Sequence, residues 1–398
     1  MVNPFNIQGP TSPKYYANRK DLLETFTKSV TSVVKSKGVT RPLNLAVTGR
    51  WGIGKTSTLY KFKDILENEL KGGKVFSAMV PLKPACCEDA DTFSATVLET
   101  IFTEYESTSG LSQTIKDFLN EEKNITHNWK LSKLSLNPEL ERKQKPVRAV
   151  NFKETLLRLW KKLESNGFDL AIIMLDDIHY VLTQGKGEIL FDLRTDMQTL
   201  SAAGARFMFV ITGPATLYPE MRDKAEPFTR LFERFDLEPF DFNGTKELIE
   251  KPLAVEKIKL KISDDVVKKI HEITGGHPYF ITLVLRDLLN QKQEGKLSVK
   301  EFAEIYPDLV DHFARIKFND DYARATDAEK EVLYKIAASN KQEVAPNDIG
   351  GAAATKFLER LVSKDLVIKI ARGKYGVYNP LFKEYLRRKK KDLRTRIA

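Results

Sequence analysis

Residues 43–58 read LNLAVTGRWGIGKTST, and GRWGIGKT within them (49–56) satisfies the phosphate-loop pattern G-x-x-x-x-G-K-[ST] in full. The flanks fit the same reading. Leu43 to Thr48 is a short apolar run of the buried-strand kind, and Leu59, Phe62, Ile65, Leu66 and Leu70 recur at helical spacing until Gly72–Gly73. Gly49, Gly52 and Gly54 let the backbone wrap closely around phosphate oxygens with its N–H groups inward. Lys55 is expected to neutralise the β- and γ-phosphates and Thr56 to hold Mg²⁺, while the helix from Lys55 adds its positive end. The whole loop, Gly49, Arg50, Trp51, Gly52, Ile53, Gly54, Lys55, Thr56 and Ser57, is the expected nucleotide cradle, with ATP and Mg²⁺ as the implied cofactors.

A phosphate loop alone does no chemistry, and two later strands supply the remaining groups. Ala171 to Leu175 is a continuous apolar run, as a central parallel strand requires, and it ends on Asp176 and Asp177. Asp176 is the expected second holder of the metal. Asp177 stands where a longer carboxylate would reach an attacking water more easily, which points to slow turnover. Two acids after a strand also suit a helix N-cap. Phe207 to Ile211 repeats the apolar run and ends on Thr212 before Gly213–Pro214, so Thr212 is the expected γ-phosphate sensor. A further strand, Lys74 to Pro81, falls between the loop and the acidic strand in sequence. The expected fold class is α/β, a P-loop NTPase with a parallel sheet of the type that adds a strand between the loop strand and the acidic strand.

Composition suits a cytoplasmic, nucleotide-driven protein. The opening MVNPFNIQGPTSPKYY is polar and proline-bearing, unlike a signal peptide, and no apolar run reaches membrane-spanning length. The only cysteines, Cys86 and Cys87, are adjacent and cannot staple distant segments. The formal net charge is +10, and it is not spread evenly. Residues 321–398 hold 18 Lys and Arg against 10 Asp and Glu, with eight of the bases between Lys383 and Arg396. A basic end favours nucleic acid as partner. A solvated face gives the same pattern.

Ahead of that end lies the grammar of a winged helix. Asp327 is the expected cap of a helix carrying Val332, Leu333 and Ile336, a short helix fits near Asp348 to Gly350, and Ala352 to Lys364 forms a third. Phe357, Leu358, Leu361 and Val362 are expected inward on that third helix, leaving Thr355, Lys356, Glu359, Arg360 and Lys364 outward. LVIKIA and KYGVY then alternate around Arg372–Gly373 as a two-stranded wing. DNA contacts are accordingly expected from Thr355, Lys356, Arg360, Lys364, Arg372 and Lys374, joined by Arg387, Arg388, Lys389, Lys390 and Lys391 of the tail. Winged helices also contact proteins, so a protein partner stays open. The expected organisation is a core at 1–240, a helical lid at 241–320, a winged helix at 321–386 and a basic tail at 387–398. In the lid, Ser263 starts a helix closed by Gly275–Gly276, and His277–Pro278 opens the next.

Assembled, these motifs resemble the AAA+ and STAND-type ATPases of the archaeal kind, relatives of the origin-recognition initiators, over nearly the whole length. NPF with YYANRKDL is similar to the family's N-terminal base motif, WGIGKTS to its phosphate loop, LDD to its acidic strand and ITG to its sensor. TGGHPYF resembles the lid motif, and YGVYNPLFKEYLR the end of the winged helix. The resemblance implies that Arg19 contacts the base and that His277 and Pro278 meet the nucleotide. It also implies that Arg230 or Arg234 reaches a neighbour's γ-phosphate in an ATP-assembled homo-oligomer; a solvated helix end is the other reading of RLFER. The implied function is a slow ATPase switch acting on DNA in replication, transposition or plasmid maintenance. The alternative is a signalling or defence ATPase whose winged helix contacts a protein. Residues 121–148 fit no element and read as an insertion.

Overall fold

Long apolar runs in this chain become strands buried on both faces. In the computed structural model, which describes residues 3–37, 39–106, 151–184, 187–341 and 343–397, five parallel strands form one sheet. They are β1 (Asn44–Gly49), β2 (Val75–Pro81), β3 (Leu170–Asp176), β4 (Phe207–Gly213) and β5 (Phe232–Leu237), in the order β2-β3-β4-β1-β5. Every residue of β3 and β4 is buried, whereas β2 alternates, as an edge strand with one covered face should. The strand inserted between the loop strand and the acidic strand is therefore β4, and β2, which intervenes only in sequence, closes the edge. The expected insertion 121–148 lies outside the described residues.

The period-two alternation of side chains splits the core into two layers. Ala46, Phe76, Ala78, Ile173, Leu175, Phe209 and Ile211 face one side, where α3 (Ala90–Glu106), α4 (Phe152–Ser165), α5 (His179–Gln184), α6 (Glu188–Ala202) and α7 (Leu217–Thr229) pack. Leu45, Val47, Leu170, Ile172, Met174, Met208 and Val210 face the other, under α1 (Lys20–Lys35) and α2 (Lys55–Asp64). Phe26 of α1 and Phe62 of α2 stack there with ring centroids 3.9 Å apart. Each such buried side chain contributes about 1.5–3 kcal/mol, which holds the strand ends in place. β5 carries Glu233, Arg234 and Asp236 and did not read as a strand; of RLFER, only Arg230 is at a helix end, as the C-cap of α7, and Arg234 belongs to this strand.

The chain divides into two compact units. Arg19–Glu238 form the sheet unit just described, and the segment ending at Asn18 joins the segment from Pro239 onward in the second. This helical unit contains α8 (Phe242–Val255), β6 (Leu260–Ile262), α9 (Asp264–Thr274), α10 (Pro278–Gln291), β7 (Gly295–Leu297), α11 (Val299–Phe313) and α12 (Asn319–Ala323). It continues with α13 (Asp327–Ala338), α14 (Pro346–Ile349), α15 (Ala352–Ser363), the hairpin β8 (Val367–Ala371) and β9 (Lys374–Val377), and α16 (Pro380–Ile397). One core runs through it, from Phe5 through Phe280, Phe313 and Phe318 to Leu358 and Phe382, so 241–320 and 321–386 are packed as one body. Asn379 Nδ2 donates to Thr274 O at 2.7 Å, tying the end of β9 to the end of α9.

Local chemistry sets the element boundaries. Gly275, at φ 61°, ends α9 in the left-handed conformation that glycine adopts without strain. Thr326, one residue before the expected Asp327, caps α13 through a capping box with Glu329. Leu358 and Leu361 are fully buried, with Phe357 and Val362 packed beside them, and β8 and β9 pair antiparallel across Arg372–Gly373. The basic tail is not a separate segment. Its bases continue the helix that begins at Pro380. Among the described residues no helix is long and apolar enough to cross a membrane.

Candidate nucleotide site

The carboxyl ends of β1, β3 and β4 converge on one point, where ligands collect in open α/β sheets. β1 delivers the loop. Gly49, at φ 155°, passes so close to Leu237 O and the Ile53 side chain that a Cβ would lie 2.9 and 2.8 Å from them. Gly54, at φ 106°, begins α2 and has open space where a Cβ would be, so its requirement is conformational. Ile53 is buried and anchors the loop, and Trp51 stands exposed at its tip. Lys55 Nζ donates to Gly49 O and Arg50 O, both at 3.0 Å, folding the ammonium over the loop.

Asp176, 6% exposed, joins all three elements. Thr56 Oγ1 donates to its Oδ2 at 2.8 Å, and Thr212 Oγ1 donates to its Oδ1 at 2.5 Å. Thr212 Oγ1 also accepts the Asp177 N–H at 2.9 Å, and Ile178 N donates to Thr212 O at 2.9 Å. The turn after β3 is thus pinned to the end of β4. That pinning holds Asp177 at φ 61°, a left-handed conformation that costs a non-glycine residue roughly 1–3 kcal/mol. Burial and the neighbouring Asp176 raise the Asp177 carboxyl above the usual carboxylate range, against the pull of His179 and Lys55. His179 opens α5 with Nδ1 3.7 Å from Asp177 Oδ1, and burial lowers its ring against the pull of that carboxylate. Sequence reading passed over His179, although it lies only three residues beyond Asp176, at the start of α5.

Oxygen donors from Thr56 and Asp176 suit a hard divalent cation that takes its remaining ligands from phosphates and water. Among the described residues no cluster of three or more His, Cys, Asp or Glu is gathered to hold a metal without such help.

The other residues expected at the nucleotide have the following partners within their own units. Arg19, at φ 67°, caps α1, and its guanidinium donates to Glu238 O at 2.5 Å. Tyr15 donates to Glu256 at 2.6 Å within the helical unit. His277 and Pro278 also belong to that unit; the His277 ring is buried and meets Phe280 edge-on at 5.1 Å, as a structural N-cap residue would. Arg234 Nε donates to Asp236 at 2.8 Å and its guanidinium covers the Tyr218 ring at 4.6 Å. Thr48, the residue before the loop, donates to the same Asp236 carboxylate. Arg230 is exposed and pairs with Glu226 at 2.6 Å.

The expected DNA-facing residues fall into three sets. Lys356, Arg360 and Arg372 are exposed, and Thr355 is half-buried beside them. Lys364 is spent on Glu329 at 2.6 Å and Lys374 on Glu343 at 2.9 Å. Arg387, Arg388, Lys389, Lys390 and Lys391 lie along α16.

The geometry of loop, acid and sensor is that of a P-loop NTPase, and a family model agrees. The KAP family P-loop domain matches residues 23–268. This chain belongs to the KAP family. The motifs point to AAA+ and STAND-type ATPases; the family that matches is the KAP P-loop domain. Two solved structures share the fold of the KAP-family chain along its length. The ORC2 protein of Aeropyrum pernix, in ADPNP–ADP complexes, is 14% identical with a TM-score of 0.63, covering 97% of this chain and 96% of its own. The Walker-type ATPase PABY2304 of Pyrococcus abyssi is 14% identical with a TM-score of 0.60, covering 96% and 99%. No curated protein matches the sequence significantly.

Proposed function

We propose that this KAP-family protein is an ATP-binding, slowly hydrolysing switch that engages DNA through a winged helix and the basic helix α16. The observation that carries the ATPase half is the bridge from Thr56 through Asp176 to Thr212, which joins loop, metal-holding acid and sensor at one point. Thr56 and Asp176 would hold Mg²⁺, which when bound neutralises charge on the β- and γ-phosphates. Lys55, now on the loop carbonyls, would swing to the phosphates. Asp177 would orient the attacking water, and its short side chain on a strained backbone supports slow turnover. Thr212 would sense the γ-phosphate and relay its loss through the Asp177 N–H to the turn after β3.

For assembly on ATP, Arg230 suits the role of a finger in trans better than Arg234, since among the described residues a surface pair with Glu226 is its one restraint. The DNA half rests on the helix–hairpin order α13, α14, α15, β8, β9 and on the exposed Lys356, Arg360 and Arg372. Genome maintenance, by replication, transposition or plasmid partition, is the setting this implies. One observation favours the rival, a signalling ATPase whose winged helix meets a protein: Lys364 and Lys374 are already paired with carboxylates.

Calorimetric titration with ATP and Mg²⁺, beside duplex binding with ATP, ADP or neither at two salt concentrations, tests both halves. Binding of ATP that Lys55→Ala abolishes, with salt-sensitive duplex binding that follows nucleotide state, is the expected result. ATP binding without any duplex binding would transfer the proposal to the protein-directed rival, and no nucleotide binding would end it.

A further inference from the structure

Successive turns of α16 place Arg387, Lys390 and Lys391 on one side, at the three- and four-residue spacing of a helix face. With Tyr334, Ala337 and Ala338 of α13 and Leu386 of α16 they line a cavity of about 170 Å³. Among the described residues that line it there is no carboxylate. Arg387 is fixed at its rim, donating Nε to Ala337 O at 2.6 Å and Nη2 to Ser339 O at 3.2 Å, so it caps the end of α13. Lys390 Nζ lies 5.3 Å over the Tyr334 ring, and the Tyr334 hydroxyl bonds that of Tyr322 at 2.7 Å.

The same device recurs next door. Lys389 covers the rings of Tyr322 and Tyr385 at 4.8 and 5.3 Å. A ring face holds an ammonium in place without cancelling its charge, whereas a carboxylate does both. Lys390 at the cavity and Lys389 beside it are therefore ordered and still electropositive, in contrast to Lys364 and Lys374. Nearby, burial and then the charge of Arg387 lower the Lys383 ammonium below the usual lysine range.

We propose that this cavity binds one backbone phosphate of duplex DNA, and that α16, more than α15, supplies the electrostatic contact of the helical unit. The inference rests on the reading that the chain binds DNA. It adds a specific site, and it makes sequence readout secondary, because phosphate contacts position a protein without reading bases.

The test compares wild type with Lys390→Glu/Lys391→Glu, with Lys356→Ala/Arg360→Ala, and with the surface control Lys268→Glu, all full length. Duplex affinity is measured across a salt series, with vesicles containing phosphoinositide and inorganic phosphate as parallel probes. Arg387 is left alone because it caps α13. The reversal at 390 and 391 is expected to weaken duplex binding tenfold or more, and to lower the log–log salt slope by about 0.9 for the phosphate lost. The α15 variant is expected to lower the slope by less than the α16 variant, and the control to keep the wild-type slope.

If wild type binds duplex and the α16 variant binds equally well, the cavity is not the site. Preference for vesicles over duplex overturns it in favour of a lipid headgroup, and binding of inorganic phosphate without duplex in favour of a free anion. A wild type that binds no duplex fails the DNA reading itself, separately from the choice of helix.

Discussion

Replacing Thr212 by Val preserves volume and β-branching in a fully buried strand position and removes a single hydroxyl. That hydroxyl donates to Asp176 at 2.5 Å and accepts the Asp177 N–H at 2.9 Å. A hydrogen bond to an ionised group is worth about 1.5–3 kcal/mol and a neutral one about 0.5–1.5, so the sheet unit should lose roughly 2–4 kcal/mol. No cavity term is expected, because the new methyl fills the space. Urea unfolding followed by tryptophan fluorescence isolates the effect, since Trp51, Trp129 and Trp160 all fall between Arg19 and Glu238. With a slope of about 2 kcal/mol/M, the midpoint should drop by roughly 1–2 M at unchanged slope. Thr212→Ser, which keeps the hydroxyl, should recover most of that loss. A midpoint within about 0.3 M of wild type for Thr212→Val would refute the claim that this hydroxyl pins the turn bearing Asp177.

Other outcomes follow from single contacts. Gly276 sits at φ 68° with Phe240 O 2.1 Å from where a Cβ would be, so Gly276→Ala should destabilise the helical unit by at least about 3 kcal/mol, read from helical circular dichroism during unfolding. Burial pushes the Cys87 thiol up to about 12, so a thiol reagent at pH 8 should label Cys86 in the native protein and reach Cys87 only after denaturant is added.

Much of the candidate nucleotide site was legible because its requirements are local. A glycine loop after a strand, acids at the end of an apolar run and a threonine at the end of another are each set by their own neighbours in sequence, and the structure gathers Thr56, Asp176 and Thr212 within hydrogen-bond reach. What escaped reading depends on distant partners. β5 looks charged because it is an edge strand whose Arg234 and Asp236 answer Tyr218 and Thr48, not solvent alone. Strand order is equally silent in hydropathy. The basic end reads as a tail from charge alone. Its long side chains instead lie along tyrosine rings and carbonyls of α13, which only the fold brings near.

The Asn18–Arg19 junction, where two successive residues adopt φ near 62° and 67°, separates two segments with different fates during synthesis. Asn3, Phe5 and Tyr15 find their partners at Arg286, the α10 core and Glu256, all made more than two hundred residues later. On the ribosome, the sheet unit from Arg19 can close while the leading segment has nothing to pack on. At roughly 5–20 residues per second that segment waits some tens of seconds. Completion of the helical unit is therefore a late, long-range closure, slow in the way high contact order makes folding slow. A bulky fusion at the amino end would be felt in the α10 region, far along the sequence from where it is attached.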